Sequence, residues 1–208
     1  MAKVLIRDAV IRKGTGKPPD DAADFWFLNE ISLQCQFALA SFGEIQSRIA
    51  NGSNDDSMLA FAHMLLSFGA SATKVLFPAT NANNTAKNRA SRLRNKLGLP
   101  NVAPAQLVDA RNYFEHFDER MDRFLFGHGG LLIHRLISAE IANEVEVSPG
   151  VILRPKYLQF LNTSTIELTL YDQVINLKEL AENISAIHVS VTKTLNEIID
   201  AATKGTSR

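Results

Sequence analysis

The sequence predicts a mainly α-helical protein: an antiparallel bundle of four to five helices, with a small antiparallel β element before the C-terminal helix. Three observations support this. Two long segments near the N-terminus carry apolar residues at three- and four-residue spacing and are separated by a short polar stretch. Residues at about 141–172 change to β-type runs around turn residues. The helical spacing then returns at about 177–202.

The composition fits one soluble domain spanning residues 1–208, with the bundle at about 20–126. Hydrophobic residues make up 46% of the chain and charged residues 21%, which excludes a disordered protein. The formal net charge is zero, so no overall field attracts a polyanion and any contact with nucleic acid must come from a local patch.

The single cysteine, Cys35, excludes an intrachain disulfide framework and suits a reducing compartment. The first residues contain no continuous apolar stretch typical of a signal peptide, and no apolar run is expected to cross a bilayer. We therefore expect a cytoplasmic protein with no membrane partner.

The first two helices are predicted from their apolar faces. Residues 1–19 are compatible with either a strand or a short helix, followed by a loop. The first long face comprises Leu28, Ile31, Cys35, Ala38, Phe42, Ile45 and Ile49. The sequence "NGSND" ends it and offers Ser53 or Asn54 as the next N-cap. The second face comprises Met58, Phe61, Leu65, Phe68, Ala72 and Leu76, and Pro78 ends that helix.

Two further helices are predicted before the β segment. The stretch "TAKNRASRLRNKLGLP" is typical of a shorter helix that ends at Gly98 before Pro100. A fourth helix begins near Pro104 and continues to the glycines at 127–130. Its predicted buried face comprises Leu107, Ala110, Phe114, Phe117, Met121 and Phe124.

The β segment contains two pairs of short β-type runs. One pair flanks the Pro149–Gly150 turn, and the other flanks "NTST". The C-terminal helix is predicted from the spacing of Leu177, Leu180, Ile184, Ile187, Val191, Leu195 and Ile198.

The fourth helix carries a polar edge suited to phosphodiester chemistry. Asn112 and His116 lie four residues apart and would stack on one helix face, close to Arg111. A histidine titrates near neutral pH and can transfer a proton to or from a ribose hydroxyl. An arginine can hold the phosphate and stabilise charge in the transition state without a metal.

The stretch "RNYFEH", from Arg111 to His116, resembles the R-x4–6-H motif of HEPN domains, including the asparagine that often follows the arginine. HEPN domains are antiparallel bundles of four or five helices, and their motif lies on a late bundle helix. The resemblance covers about residues 20–126, with a possible return at 177–202. The β segment is outside the family pattern, and Asp118 stands where some toxin members carry a tyrosine.

The resemblance implies a function and a site. Many HEPN domains are metal-independent endoribonucleases that work as dimers, in toxins, abortive-infection systems and CRISPR effectors. Arg111 and His116 would then be catalytic, Asn112 would orient the site, and no cofactor or metal would be required. The implied partners are RNA, a second copy of the chain, and a protein antitoxin or regulator.

The same residues also suit a solvated helix face, on which Arg111 would pair with Glu115. A second match to the motif runs from Arg123 to His128, but the glycines that begin at Gly127 are predicted to end the helix there. The alternative function is therefore a non-catalytic, dimeric helical module for interaction or regulation.

The predicted third helix is strongly basic. Five basic residues and no acidic residue lie between Lys87 and Lys96. Such a run can hold phosphates, above all if this helix borders Arg111, or it can be a solvated helix with a favourable basic last turn. The predicted nucleic-acid-binding residues are Arg89, Arg92, Arg94 and Lys96, of which Arg89, Arg92 and Lys96 share a face.

Other polar residues are assigned structural roles. No H-E-x-x-H sequence and no pair of E-x-x-H sequences occurs, so we expect no metal site. Cys35 belongs to an apolar helix face and is expected in the core. His63 and His188 lie in helical segments near apolar neighbours and are also expected to be structural.

Overall fold

The structure is a computed structural model that describes residues 20–127, 131–171 and 173–205. Residues 1–19, for which the sequence left two interpretations open, lie outside the described residues, as do residues 128–130. The side chains of Phe114, Glu115 and Phe117 also lie outside the described part of the chain.

Six helices occur among the described residues. They are α1 (Asp20–Ala50), α2 (Ser57–Leu76), α3 (Asn84–Leu97), α4 (Ala105–Glu115), α5 (Phe117–Gly127) and α6 (Leu177–Gly205). The prediction of four to five helices is wrong because the predicted fourth helix is two helices, which meet at His116. The backbone of His116 leaves the helical region, with φ −134° and ψ 24°.

Two sheets follow α5. Their strands are β1 (Leu132–Ser138), β2 (Val145–Ser148), β3 (Val151–Leu153), β4 (Lys156–Asn162), β5 (Glu167–Leu170) and β6 (Gln173–Asn176). One sheet has the order β1-β4-β5-β6, and the other pairs β2 with β3. The strand pairs predicted around Pro149–Gly150 and around "NTST", residues 162–165, are confirmed as antiparallel pairs.

The prediction of a small, purely antiparallel β element is wrong. β1 pairs parallel to β4, in register from Leu132 opposite Lys156 to Ser138 opposite Asn162, so the four-stranded sheet is mixed. β1 precedes the predicted segment at 141–172 and β6 follows it. A parallel pair requires a crossover connection, which here contains the β2–β3 hairpin. Turn residues in a sequence identify hairpins between neighbouring strands, but they do not show which strands pair when the two are far apart in the chain.

The bundle core lies around α2, which packs against α1, α3, α4 and α6. The predicted faces of α1 and α6 are buried for the most part; Ile49 and Ile198 are only half-buried. α2 approaches α6 closely at Gly69, where a Cβ atom would lie 2.9 Å from the Cδ1 atom of Ile184.

The start of α2 differs from the prediction of Ser53 or Asn54 as its N-cap. The helix begins at Ser57, and Asp55 accepts a hydrogen bond from the Ser57 backbone N–H at 3.0 Å. By length and composition alone, α2 is the one described helix that is long and apolar enough to cross a bilayer. Half of that apolar stretch is buried against the rest of the protein, as in the core helix of a soluble domain.

Candidate functional site

The C-terminal end of α2 lies between α3 and α4 and receives two arginines. Arg94 on α3 donates a hydrogen bond to the carbonyl oxygen of Leu76. Arg111 on α4 donates one to the carbonyl oxygen of Phe77 at 3.0 Å. The last carbonyls of a helix lack partners within the helix and carry partial negative charge, so cationic side chains are stabilised there. These bonds hold the two guanidinium groups at one end of the bundle.

The two arginines line a basic cavity of about 340 Å³ together with Lys87 and Asn101. We call this site the basic cavity. Its remaining walls come from Phe77, Pro78, Val102, Ala103 and Val108. Within the described part of the chain, three cationic groups and no carboxylate therefore line it. The Nε atom of Arg94 is buried there without a hydrogen-bond partner within the described residues, so a donor remains that protein atoms do not satisfy.

The sequence explains why Lys87 and Arg94 face the same cavity. They lie seven residues apart on α3, which is close to two full helical turns. Gly98 ends α3 in the left-handed conformation with φ 64°, as the sequence predicts for a glycine at this position. The sequence made phosphate binding by this helix depend on whether it borders Arg111, and the structure places Arg94 and Arg111 in the lining of the same cavity.

The other basic face of α3 points toward α1. Arg92 binds the carboxylate of Asp24 through its Nε and Nη2 atoms, and Lys96 Nζ lies 2.7 Å from Asp24 Oδ2. The guanidinium carbon of Arg89 lies 4.4 Å from the centre of the Phe27 ring. Of the four predicted nucleic-acid-binding residues, Arg92, Lys96 and Arg89 therefore contact α1, and Arg94 lines the basic cavity.

Asp24 is fully buried and remains ionised because of these partners. Burial by itself would raise the pKa of the Asp24 carboxyl, but hydrogen bonds and charges from Arg92 and Lys96 outweigh it and hold the pKa below its ordinary value. One of the two positive charges is thus neutralised locally. This face of α3 serves mainly to attach α3 to α1.

His116 lies at the break between α4 and α5 and is accessible. Its side chain is 54% exposed, and its Nδ1 atom lies 3.6 Å from the carboxylate of Glu119. Asn112 is half-buried on α4. His116 does not line the basic cavity, so the structure does not bring Arg111 and His116 into one cavity within the chain.

Two features separate the side chains. Residues five apart differ by about 140° in direction even on a continuous helix. Here α4 also ends at Glu115, and the His116 backbone leaves the helical region. In the second match to the motif, Arg123 is exposed and His128 lies outside the described residues.

A second cavity contains residues that the sequence did not single out. We call it the aromatic cavity. Its polar lining comes from four different elements and the turn after β5: His63, Tyr113, His134, Gln159 and Tyr171. Tyr113 follows Arg111 by two residues but faces away from the basic cavity. Among these five residues, the sequence assigned a role only to His63. It predicted a structural role because His63 lies in a helical segment near apolar neighbours.

Metal and thiol chemistry find no support in the described residues. Across residues 20–127, 131–171 and 173–205, no group of three or more His, Cys, Asp or Glu side chains could hold a metal ion. Cys35 is confirmed as a core residue, and burial raises the pKa of its thiol to about 12. The thiolate that a nucleophilic cysteine needs is therefore disfavoured.

The chain was also compared with known proteins. No protein-family model, no curated protein sequence and no solved structure matches it.

Proposed function

We propose that the protein binds RNA through the basic cavity and, as its resemblance to HEPN domains implies, cleaves RNA without a metal. The observation that carries the proposal is the convergence of Lys87, Arg94 and Arg111 on one open cavity, in whose lining the described residues include no carboxylate. Arginine binds phosphate through a planar pair of donors, and lysine adds a compact charge.

The arrangement favours phosphate over a carboxylate ligand of comparable size. Three cations around one cavity match the charge of a phosphodiester and its neighbours along a strand. Because Arg94 and Arg111 already bind the end of α2, little side-chain entropy is lost when they bind a ligand. Asn101 adds a neutral donor and acceptor at the same site.

The cleavage step rests on Arg111 and His116. Arg111 would stabilise the negative charge that develops on the phosphate, and His116 would transfer a proton at the ribose hydroxyl or the leaving oxygen. Arg111 lines the basic cavity and His116 does not. The proposal therefore requires a second copy of the chain, whose His116 would lie beside the Arg111 of the first. A shared cleft of this kind is what the family resemblance implies.

Binding is tested by fluorescence anisotropy with a labelled single-stranded RNA in EDTA, over a range of salt concentrations. We expect Lys87→Ala to weaken binding and to lower the slope of log affinity against log salt by about 0.7, the effect of one phosphate contact. Lys193→Ala is the matched control, because Lys193 is an exposed lysine on α6 outside the cavity. Equal affinities and slopes for the two variants would refute the proposed site.

The alternative function, a non-catalytic dimeric module, needs a dimer surface as the proposed enzyme does, and α1 offers one. Trp26, Leu33 and Phe37 lie on one stripe of α1 and are exposed by 44%, 42% and 44%, although they are large and apolar. Exposed apolar stripes commonly mark interaction surfaces. A protein that dimerises through this stripe but fails to bind RNA would support the alternative.

The same proposal extends to the biological setting. A cytoplasmic ribonuclease of a toxin or phage-defence system would need a protein antitoxin or regulator to limit its activity.

A further inference from the structure

The aromatic cavity lies where the helical bundle meets the mixed sheet. Its volume of about 430 Å³ falls in the range of about 300–1,000 Å³ that is typical of small-molecule sites. It shares no lining residue with the basic cavity. α4 contributes Arg111 to one cavity and Tyr113 to the other, since residues two apart on a helix point about 200° apart.

Two hydrogen-bonded pairs form the polar part of this cavity. The imidazole of His63 on α2 is hydrogen-bonded to the side chain of Gln159 on β4. The phenol of Tyr113 on α4 bonds the phenol of Tyr171, which follows β5. Each pair crosses from the bundle to the sheet region, so the polar groups have fixed positions on both sides of the cavity.

These polar groups are uncharged at neutral pH. Burial lowers the pKa of His63 below its ordinary value, although the bond to Gln159 opposes the effect. Burial also raises the pKa of Tyr113 far above its ordinary value. Among the residues that the structure describes, no aspartate, glutamate, lysine or arginine lines the cavity. Arg135 and Arg120 are the positively charged residues that act on His63 and Tyr113, and the guanidinium of Arg135 also lies 3.6 Å from the carboxylate of Asp56.

The walls are suited to a flat ring. The rings of Tyr113 and Tyr171 are inclined by only 25° with their centres 6.4 Å apart, and the His63 ring lies 5.8 Å from that of Tyr113. Met121, Leu125 and Leu158 supply apolar surface. Sulfur and aliphatic groups pack favourably against aromatic rings, and aromatic side chains stack on one another.

We propose that the aromatic cavity binds a small planar aromatic molecule of one or two fused rings, neutral and with a hydrogen-bonding edge. The ring would lie against Tyr113 and Leu158, and its polar edge would face the His63–Gln159 pair. A cationic ligand is disfavoured because no carboxylate among the described lining residues could pair with it. This inference does not depend on RNA binding, since the two cavities are separate.

Indole is the probe, and benzylammonium is the cationic comparison of similar size. Both are titrated into ¹⁵N-labelled full-length protein, and backbone amide shifts are followed by NMR. We expect saturable shifts with indole in the low-millimolar range or below, concentrated around His63, Tyr113 and Leu158. Benzylammonium should bind at least about tenfold more weakly, because an ammonium group loses hydration in an uncharged site.

Variants at the cavity wall test the location. Leu125 is 39% exposed and lines the cavity, whereas its neighbour Phe126 is 86% exposed and does not. Leu125→Trp should fill the cavity and weaken indole binding by at least about tenfold, because a closely packed site has no room for two ring systems. Phe126→Trp should leave binding unchanged.

The polar edge is tested by Gln159→Leu, which should weaken indole binding several-fold by removing a hydrogen-bond partner. The unperturbed remainder of each spectrum reports that the variants are folded. The proposal is overturned if indole produces no saturable shifts, if the shifts map outside the cavity, or if Leu125→Trp binds indole as well as the parent. Equal affinity for benzylammonium would also overturn it.

Discussion

The buried carboxylate of Asp24 explains why the basic run on α3 does not form one continuous phosphate-binding surface. This carboxylate forms ion pairs with Arg92 and Lys96. The guanidinium group of Arg89 lies over the ring of Phe27. Only Lys87 and Arg94 on the opposite face line the basic cavity. A buried carboxylate with two cationic partners is costly to leave incomplete, and this makes Asp24 a sensitive position.

Asp24→Asn should lower the free energy of unfolding by about 3 kcal/mol at neutral pH, the lower end for breaking a buried ion pair. The lower end applies because Arg92 and Lys96 keep side-chain exposures of 32% and 30% and can be hydrated. The measurement is urea unfolding of both proteins. Asp122→Asn, at an exposed position on α5, is the control and should change little.

The Asp24 contribution should also depend on pH. Because the pKa of this carboxyl in the folded state lies below the ordinary value of 3.8, the stabilisation is fully present above that value. It is lost as pH falls through the lower, folded-state pKa. The stability difference between parent and Asp24→Asn should therefore be constant from neutral pH to about pH 5 and shrink below about pH 4. A difference independent of pH would contradict this assignment.

Replacement of the two proposed catalytic residues should change the free energy of unfolding by different amounts. His116→Ala should abolish RNA cleavage in EDTA without lowering the free energy of unfolding, because the His116 side chain is more than half exposed. Arg111→Ala should abolish cleavage and also cost about 1 kcal/mol, since it removes a hydrogen bond to the Phe77 carbonyl. Cleavage that persists in the double variant would reject the assignment.

At the scale of elements, the C-terminal end of α3 and the start of α4 determine where the basic cavity lies. Gly98 ends α3 in a left-handed conformation, which fixes the direction in which the chain turns back toward α4. Asn83 starts α3 by accepting a hydrogen bond from the backbone N–H of Ala86 at 2.9 Å. The break at His116 then separates α4 from α5, so that Phe124 of α5 packs beside Tyr171.

Gly98→Ala should lower the free energy of unfolding by about 1 kcal/mol. A Cβ atom at Gly98 would meet no heavy atom within 4 Å, so the cost comes from the left-handed backbone alone. Gly43→Ala is the matched control: Gly43 lies within α1, also has open space, and has ordinary helical geometry. That change should instead stabilise the protein by about 0.5–1 kcal/mol. Urea unfolding of both variants measures the two opposite effects.

For the whole molecule, the exposed stripe on α1 is the surface that suggests self-association. Trp26, Leu33 and Phe37 follow one another at seven- and four-residue spacing, and Met64 of α2 is 43% exposed. We expect a homodimer at micromolar concentration, in line with the proposed shared cleft.

Analytical ultracentrifugation tests the dimer and its surface. The parent should sediment with twice the mass of the chain, and Leu33→Glu should sediment as a monomer, because a buried charge without a partner opposes association. Val174→Glu, at an exposed apolar position on β6, is the control and should remain dimeric. A parent that is monomeric at micromolar concentration would rule out both the dimer and a site shared between copies.

Helices α1, α2, α3 and α6 and the hairpins β2–β3 and β4–β5 could be predicted from the amino-acid sequence. Each depends on apolar spacing and turn residues within one short segment. The positions of Gly98 and Pro78 at helix ends follow from the same local chemistry. The sequence did not predict that the third helix approaches Arg111; it stated only that such an approach would favour phosphate binding. The shared cavity shows that the two are close.

Only the tertiary structure decided the rest, because these features depend on residues far apart in the chain. β1 pairs with β4 across an intervening hairpin, and Asp24 binds Arg92, which is 68 residues away. The aromatic cavity joins His63 to Gln159 and Tyr113 to Tyr171. Periodicity identifies which side of a helix is buried, but the partner of a polar side chain is selected by the packing of distant elements.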